Sequence, residues 1–135
     1  MATKVVPKRW GQELWIVNND MYCGKILSFD QGKSCSLHCH RDKHETFYVL
    51  YGAFNILLMD LVEKKCSYVR LKEGQALEID RHLYHAIRGL EAGNELLEVS
   101  THHEDEDSYR MSKEDAWASN MEKQWEEYVA WEGKK

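Results

Sequence analysis

The stretch Gly32-Lys-Ser-Cys-Ser-Leu-His38-Cys-His40-Arg-Asp-Lys-His-Glu45-Thr-Phe-Tyr-Val-Leu-Tyr-Gly52 decides how the rest of the chain is read. His38 and His40 are two apart, and strand side chains alternate between faces, so both imidazoles belong on one face. Arg41, Asp42 and Lys43 read as a turn. Glu45 then opens Thr46-Phe-Tyr-Val-Leu-Tyr51, a run rich in β-formers. The expectation is a hairpin with two His on one arm and a carboxylate at the start of the other. Two imidazoles and a carboxylate suit a divalent transition metal such as Mn, Fe, Co, Ni or Zn.

A fourth donor lies downstream. Gly74 to Ile79 reads as a turn and a short strand, Asp80 to Tyr84 as a polar break, and His85-Ala-Ile-Arg88 as a resumed strand. His85 and Ile87 share a face there, which turns His85 inward and puts Arg88 on the outer side.

Elsewhere, short β-rich runs recur. Residues 1 to 8 read as a flexible entry segment, and Arg9 to Val17 and Tyr22 to Ser28 as strands around the Asn18-Asn19-Asp20 turn. Ala53 to Met59, Ser67 to Leu71, Leu77 to Ile79, His85 to Ile87 and Leu96 to Thr101 continue the series. Such spacing with Gly and Asn/Asp punctuation predicts an all-β sandwich or barrel. Residues 102 to 108, His-His-Glu-Asp-Glu-Asp-Ser, read as a solvated charged loop. From Ser112 the period becomes helical. Ser112 and Asp115 suit a capping box. Trp117, Met121, Trp125 and Tyr128/Val129 form one face, while Glu122, Lys123, Glu126, Glu127 and Lys135 form the other. This predicts one amphipathic helix that covers either its own barrel or a partner.

With 135 residues the chain suits one domain with a single core. Its net charge is −5 and no basic patch with interleaved aromatics occurs, which argues against nucleic acid. No apolar run nears the ~18 residues of a membrane span, and the start lacks a signal-peptide core. The expectation is a cytoplasmic protein without membrane contact. Cys23, Cys35, Cys39 and Cys66 form no Cys-x-x-Cys pair and read as small buried hydrophobes.

The quoted stretch resembles the first cupin motif at every position: Gly32, His38, His40, Glu45 and Gly52. Gly74 and His85 match the second motif. Asp80 stands where Pro is usual and His82 where Gly is usual, but the interval to His85 is kept. The resemblance implies a cupin jelly-roll barrel over residues 1–111, with a C-terminal helix over 112–135. It further implies a metal site made of His38, His40, Glu45 and His85, and a homodimer. In order and spacing, residues 9 to 111 are similar to the cupin half of type II phosphomannose isomerases. Gln more often stands there in place of His38, and the full His-x-His site is closer to metal-dependent cupin aldose isomerases of the D-lyxose isomerase type.

The resemblance therefore implies a small-molecule substrate, a sugar or sugar phosphate, isomerised by proton transfer between C2 and C1 through a cis-enediol. The ion would polarise the carbonyl. Lys25 and Glu98 are the catalytic candidates, each on a strand whose inner face can reach the ion. Ser36 shares the face of the His pair, and Arg110 matches a basic position of those isomerases; both are substrate-binding candidates. The same four ligands also suit an Fe(II) dioxygenase or a non-catalytic carbohydrate sensor.

Overall fold

A computed structural model of the protein describes residues 3–133. Eleven strands form two antiparallel sheets among the described residues. They are β1 (Lys4–Lys8), β2 (Gly11–Asn18), β3 (Cys23–Phe29), β4 (His38–Cys39), β5 (Glu45–Tyr51) and β6 (Ala53–Asp60). The remainder are β7 (Lys65–Lys72), β8 (Ala76–Ile79), β9 (Tyr84–Gly89), β10 (Asn94–Ser100) and β11 (Tyr109–Arg110). One sheet runs β1-β2-β3-β10-β5-β8 and the other β11-β4-β9-β6-β7.

Between the sheets lies a core of Trp10, Leu27, Phe29, Phe47, Val49, Phe54, Ile56, Ile79, Ile87 and Leu96. Trp10 stacks on Phe29 with ring centroids 4.0 Å apart. Offset contacts of this kind strengthen aromatic packing beyond the area they bury. The alternation that identified the strands is what delivers these residues: in β3, Cys23, Lys25, Leu27 and Phe29 are buried and the residues between them are half-buried.

Several expectations change. Residues 1 and 2 of the entry segment lie outside the described residues, but Lys4–Lys8 is a strand rather than a flexible lead: β1 pairs with β2 from Lys4↔Trp15 to Lys8↔Gly11, with Pro7 tolerated because β1 is an edge strand. The stretch that carries His38, His40 and Glu45 is not a hairpin. β4 pairs with β9 and β11, whereas β5 pairs with β10 and β8, so the turn between them crosses from one sheet to the other. The terminal helix is two helices, α1 (Lys113–Ala118) and α2 (Glu122–Gly133), broken where Asn120 takes φ 56°. The Ser112–Asp115 capping box forms at α1 as read.

The helices cover the outer face of the five-stranded sheet. Met121, Tyr128 and Trp131 pack on Leu37, Leu57, Met59 and Ala86. The Leu37 amide donates to Tyr128 Oη (3.1 Å), and Arg88, outward on β9, donates to the Trp131 carbonyl and lies over its ring. Trp117 and Val129 are instead exposed; in α2 the inward place beside Val129 is taken by Tyr128. Lys135, read on the polar helix face, lies outside the described residues.

Candidate functional site

The register explains why residues far apart in sequence meet. His38 and His85 are direct cross-strand partners on β4 and β9. His40 follows β4 by one residue, with its ring centroid 5.0 Å from His38 and 5.6 Å from His85. One ring nitrogen of each lies within 4.8 Å of the others. Glu45 starts β5 on the opposite sheet, and its Oε2 sits 3.1 Å from His40 Nε2 and 3.6 Å from His85 Nε2.

Each imidazole is oriented by a backbone carbonyl. Nδ1 of His38 donates to the Ser36 carbonyl (2.7 Å), that of His40 to Asp107 (2.5 Å) and that of His85 to Leu83 (3.0 Å). A carbonyl only accepts, so the proton of each neutral ring stays on Nδ1 and Nε2 keeps its lone pair. Burial first, then the neighbouring rings His85 and His40, pushes the His38 pKa down to about 3. Burial likewise takes His85 to about 3. Glu45 is held ionised: burial opposes it, but the Lys43 ammonium leads the groups that outweigh burial and lower its pKa.

The lone pairs of His40 and His85 thus face a carboxylate oxygen, and His38 completes the imidazole cluster. Oε2 of Glu45 is buried with no hydrogen-bond donor of its own. Acceptors facing acceptors at about 3 Å repel unless a cation stands among them. The donor set fits a divalent first-row metal, and the three Nδ1 carbonyl contacts are the outer shell that metal-binding imidazoles require.

The four groups line a cavity of about 510 Å³. All the sequence-derived candidates reach it. Lys25, fully buried, places Nζ 3.4 Å from Glu13 Oε1 and 4.1 Å above the Trp15 ring. Glu98, also buried, accepts from Lys43 Nζ (3.0 Å) and Ser100 Oγ (3.2 Å). Ser36 is half-buried beside His38, while Arg110 pairs with His38 across β11 and β4 and lies at the exposed mouth.

Sequence reasoning missed other residues. Lys43, read as part of a turn, is only 3% exposed; its Nζ also lies 3.1 Å from His103 Nδ1 and 3.9 Å from Glu45 Oε1. The run 102–108 is not simply a solvated loop. His103 lines the cavity, and the buried Asp107 carboxylate accepts from the amides of Arg41, Asp42 and Lys43. Asp107 therefore fixes the crossing turn with its side chain and His40 with its carbonyl. Glu13 and Trp15 alternate on β2, a period-two signal consistent with facing inward, but nothing in the sequence marks which face of β2 that is.

Neither a family model nor a curated relative matches the sequence. Solved structures do. KdgF from a Halomonas species superposes with a TM-score of 0.66 at 21% identity, covering 78% of this chain and 90% of that one. CapF from Staphylococcus aureus, a capsular polysaccharide assembling protein, gives 0.73 at 15%, over 83% and 32%. A variant of Bacillus subtilis oxalate decarboxylase gives 0.73 at 20%, over 98% and 38%. The fold is that of the cupins. This cupin barrel spans most of the Halomonas protein, but only about a third of the other two. No helix among the described residues is long and apolar enough to cross a membrane.

Proposed function

We propose that this cupin is a divalent-metal-dependent isomerase of a sugar or sugar phosphate. The observation that supports it most is the buried, donorless Glu45 Oε2 facing the Nε2 lone pairs of His40 and His85, with His38 beside them. His38, His40, Glu45 and His85 would hold the ion. Mn(II) is the first ion to test, since Mn(II) centres are described for the Bacillus subtilis oxalate decarboxylase among its structural neighbours. When bound, the ion would act as a Lewis acid on the substrate carbonyl.

The remaining roles fall to the chain's own groups. Glu98 is the base of the proposal: its carboxylate faces the cavity and would carry a proton between C2 and C1 through a cis-enediol. Lys43 holds that carboxylate in place. Lys25, the direct cross-strand partner of Glu98, would hold a hydroxyl, as would Ser36 beside His38. The half-buried rim and the tryptophans Trp10 and Trp15 limit water around the reacting carbons.

The test is aldose–ketose interconversion by metal-loaded protein across a panel of aldoses and their phosphates. Turnover with Mn(II) in the absence of oxygen supports the isomerase. Sugar binding without turnover would reduce the protein to a sensor, and oxygen consumption confined to Fe(II) would replace the reading with an oxygenase.

A homodimer belongs to the same proposal. On the outer face of the six-stranded sheet, Val5, Leu14, Ile26, Leu97, Tyr48 and Ala76 are successive cross-strand partners, with no charge among them. At ~4.8 Å between strands the row runs about 24 Å.

A further inference from the structure

The charges around the cavity do not balance. Six cations line it, Lys4, Lys8, Arg9, Lys25, Lys43 and Arg110, against four carboxylates, Glu13, Glu45, Glu98 and Asp105. The cavity is therefore positive by two in a chain whose net charge is −5.

The imbalance sits at the mouth. Inside, Lys25 pairs with Glu13 at 3.4 Å and Lys43 with Glu98 at 3.0 Å. Asp105 lies 2.9 Å from His103 Nε2. Glu45 belongs to the imidazole cluster. At the rim, Arg9 makes only a 3.4 Å contact to the Ser34 carbonyl, and Lys4 lies over the Trp15 ring. Lys4, Arg9 and Arg110 have no carboxylate within ion-pair distance among the described residues. They come from β1, the β1–β2 turn and β11, three separate segments that the fold brings to one opening. A cleft of one sign with low-dielectric walls concentrates ligands of the other sign, and guanidinium groups match the geometry of acidic oxygens.

We infer that the ligand of this cavity is acidic, a sugar carrying a carboxylate or a phosphate, with the acid group held at the rim by Arg9 and Arg110. This narrows the proposed function and rests on it for the sugar; the charge asymmetry itself does not depend on an ion. An ion held by one carboxylate would add positive charge and strengthen the preference.

Calorimetric titration tests it with four probes: a neutral aldohexose, its uronate, its phosphate monoester and inorganic phosphate. Each is run on Mn(II)-loaded and on chelator-treated protein. The expected result is at least a tenfold preference for an acidic probe over the neutral sugar at low ionic strength, shrinking as salt is added. Arg9→Gln with Arg110→Gln should abolish that preference with metal content unchanged. The uronate and phosphate arms separate the two acid chemistries. A preference that survives in chelator-treated protein upholds the inference even if no isomerisation is found. Equal affinity for neutral and acidic sugars would overturn it while leaving the metal reading intact. So would an acid preference that both Arg variants retain, or no acidic probe bound at millimolar concentration.

Discussion

The two sheets differ on both of their faces. Inside, the five-stranded sheet supplies neutral donors, with His38 and His85 paired across β4 and β9 and His40 just beyond. The six-stranded sheet supplies charge: Glu45, Glu98, Lys25 and Glu13. Outside, the five-stranded sheet is covered by the chain's own α2, whereas the six-stranded sheet presents an uncharged row with Val5 54% and Tyr48 40% exposed. Antiparallel sheets that meet water usually alternate apolar-in with polar-out, so an uncharged row on the outer face departs from that pattern. The interior difference is chemical: an ion at the His cluster would tie the neutral wall to the charged one.

Removing that tie produces the largest expected effect. In Glu45→Gln the carboxylate is lost, and the new amide N–H₂ can donate to the lone pairs of His40 and His85. Mn(II) affinity should fall by more than about 100-fold, beyond the ~10–100-fold typical of an outer-shell change. The metal-free protein should melt no lower than the parent. Titration calorimetry and scanning calorimetry read the two quantities. Undiminished Mn(II) binding would remove Glu45 from the ligand set.

The neutral wall should also make the metal-free protein acid-sensitive. His38 and His85 take up protons near pH 6.5 when unfolded but only near 3 when folded, because burial opposes the charge. The unfolded state thus binds more protons between those values, and stability is lost as pH falls. The slope is about 1.4 kcal/mol per pH unit for each imidazole once pH lies well below 6.5. A denaturant midpoint that stays flat between about pH 6 and about pH 4 would contradict neutral buried rings.

Asp107 links the walls by backbone rather than by charge. Burial alone would raise its pKa, but the amides of Arg41, Lys43 and Asp42 outweigh it and lower the value. Asp107→Ala leaves buried amides without an acceptor, so it should cost about 3 kcal/mol and weaken Mn(II) binding by ~10–100-fold through the freed turn and His40. Asp107→Asn keeps one acceptor oxygen and should lose roughly half as much. The acid limb tells the same story: a carboxylate with a lowered folded pKa contributes fully above its unfolded value of 3.8 and is lost below it.

The cupin barrel and the clustering of His38, His40, Glu45 and His85 were legible because local periodicity and fixed intervals encode them. Gly52 shows how firmly: at φ 75°, an added Cβ would meet the Gly93 carbonyl at 2.2 Å. His82 shows a turn surviving substitution, since it adopts φ 69° where glycine is usual and the interval to His85 is preserved. What stayed hidden depends on pairing between distant segments. A hairpin and a sheet-crossing turn look alike in residues 38–51, because nothing local states which strand lies beside β4. Lys43 and Asp107 are charged residues in charged surroundings, and only the fold buries them. β1 carries a Pro and two Lys, and its strand character comes from β2 alone.

The smallest stability effect belongs to the bare sheet face, and it is the one that separates the two outer surfaces. Leu57, under α2, is fully buried, and Leu57→Ala should cost roughly 2–5 kcal/mol at any protein concentration. Leu97 sits at the middle of the exposed row, half-buried between Ile26 and Tyr48. Leu97→Lys places a charge there that water can solvate in a monomer, so the isolated barrel should change by only about 0.5 kcal/mol. In a dimer packed through this face, the same charge meets its two-fold copy in a desolvated layer, and association should fall at least tenfold. Sedimentation of parent and variant over a range of concentrations distinguishes the cases: a parent that is monomeric throughout, or a variant that remains as dimeric as the parent, would mean the row is simply a tolerated apolar surface.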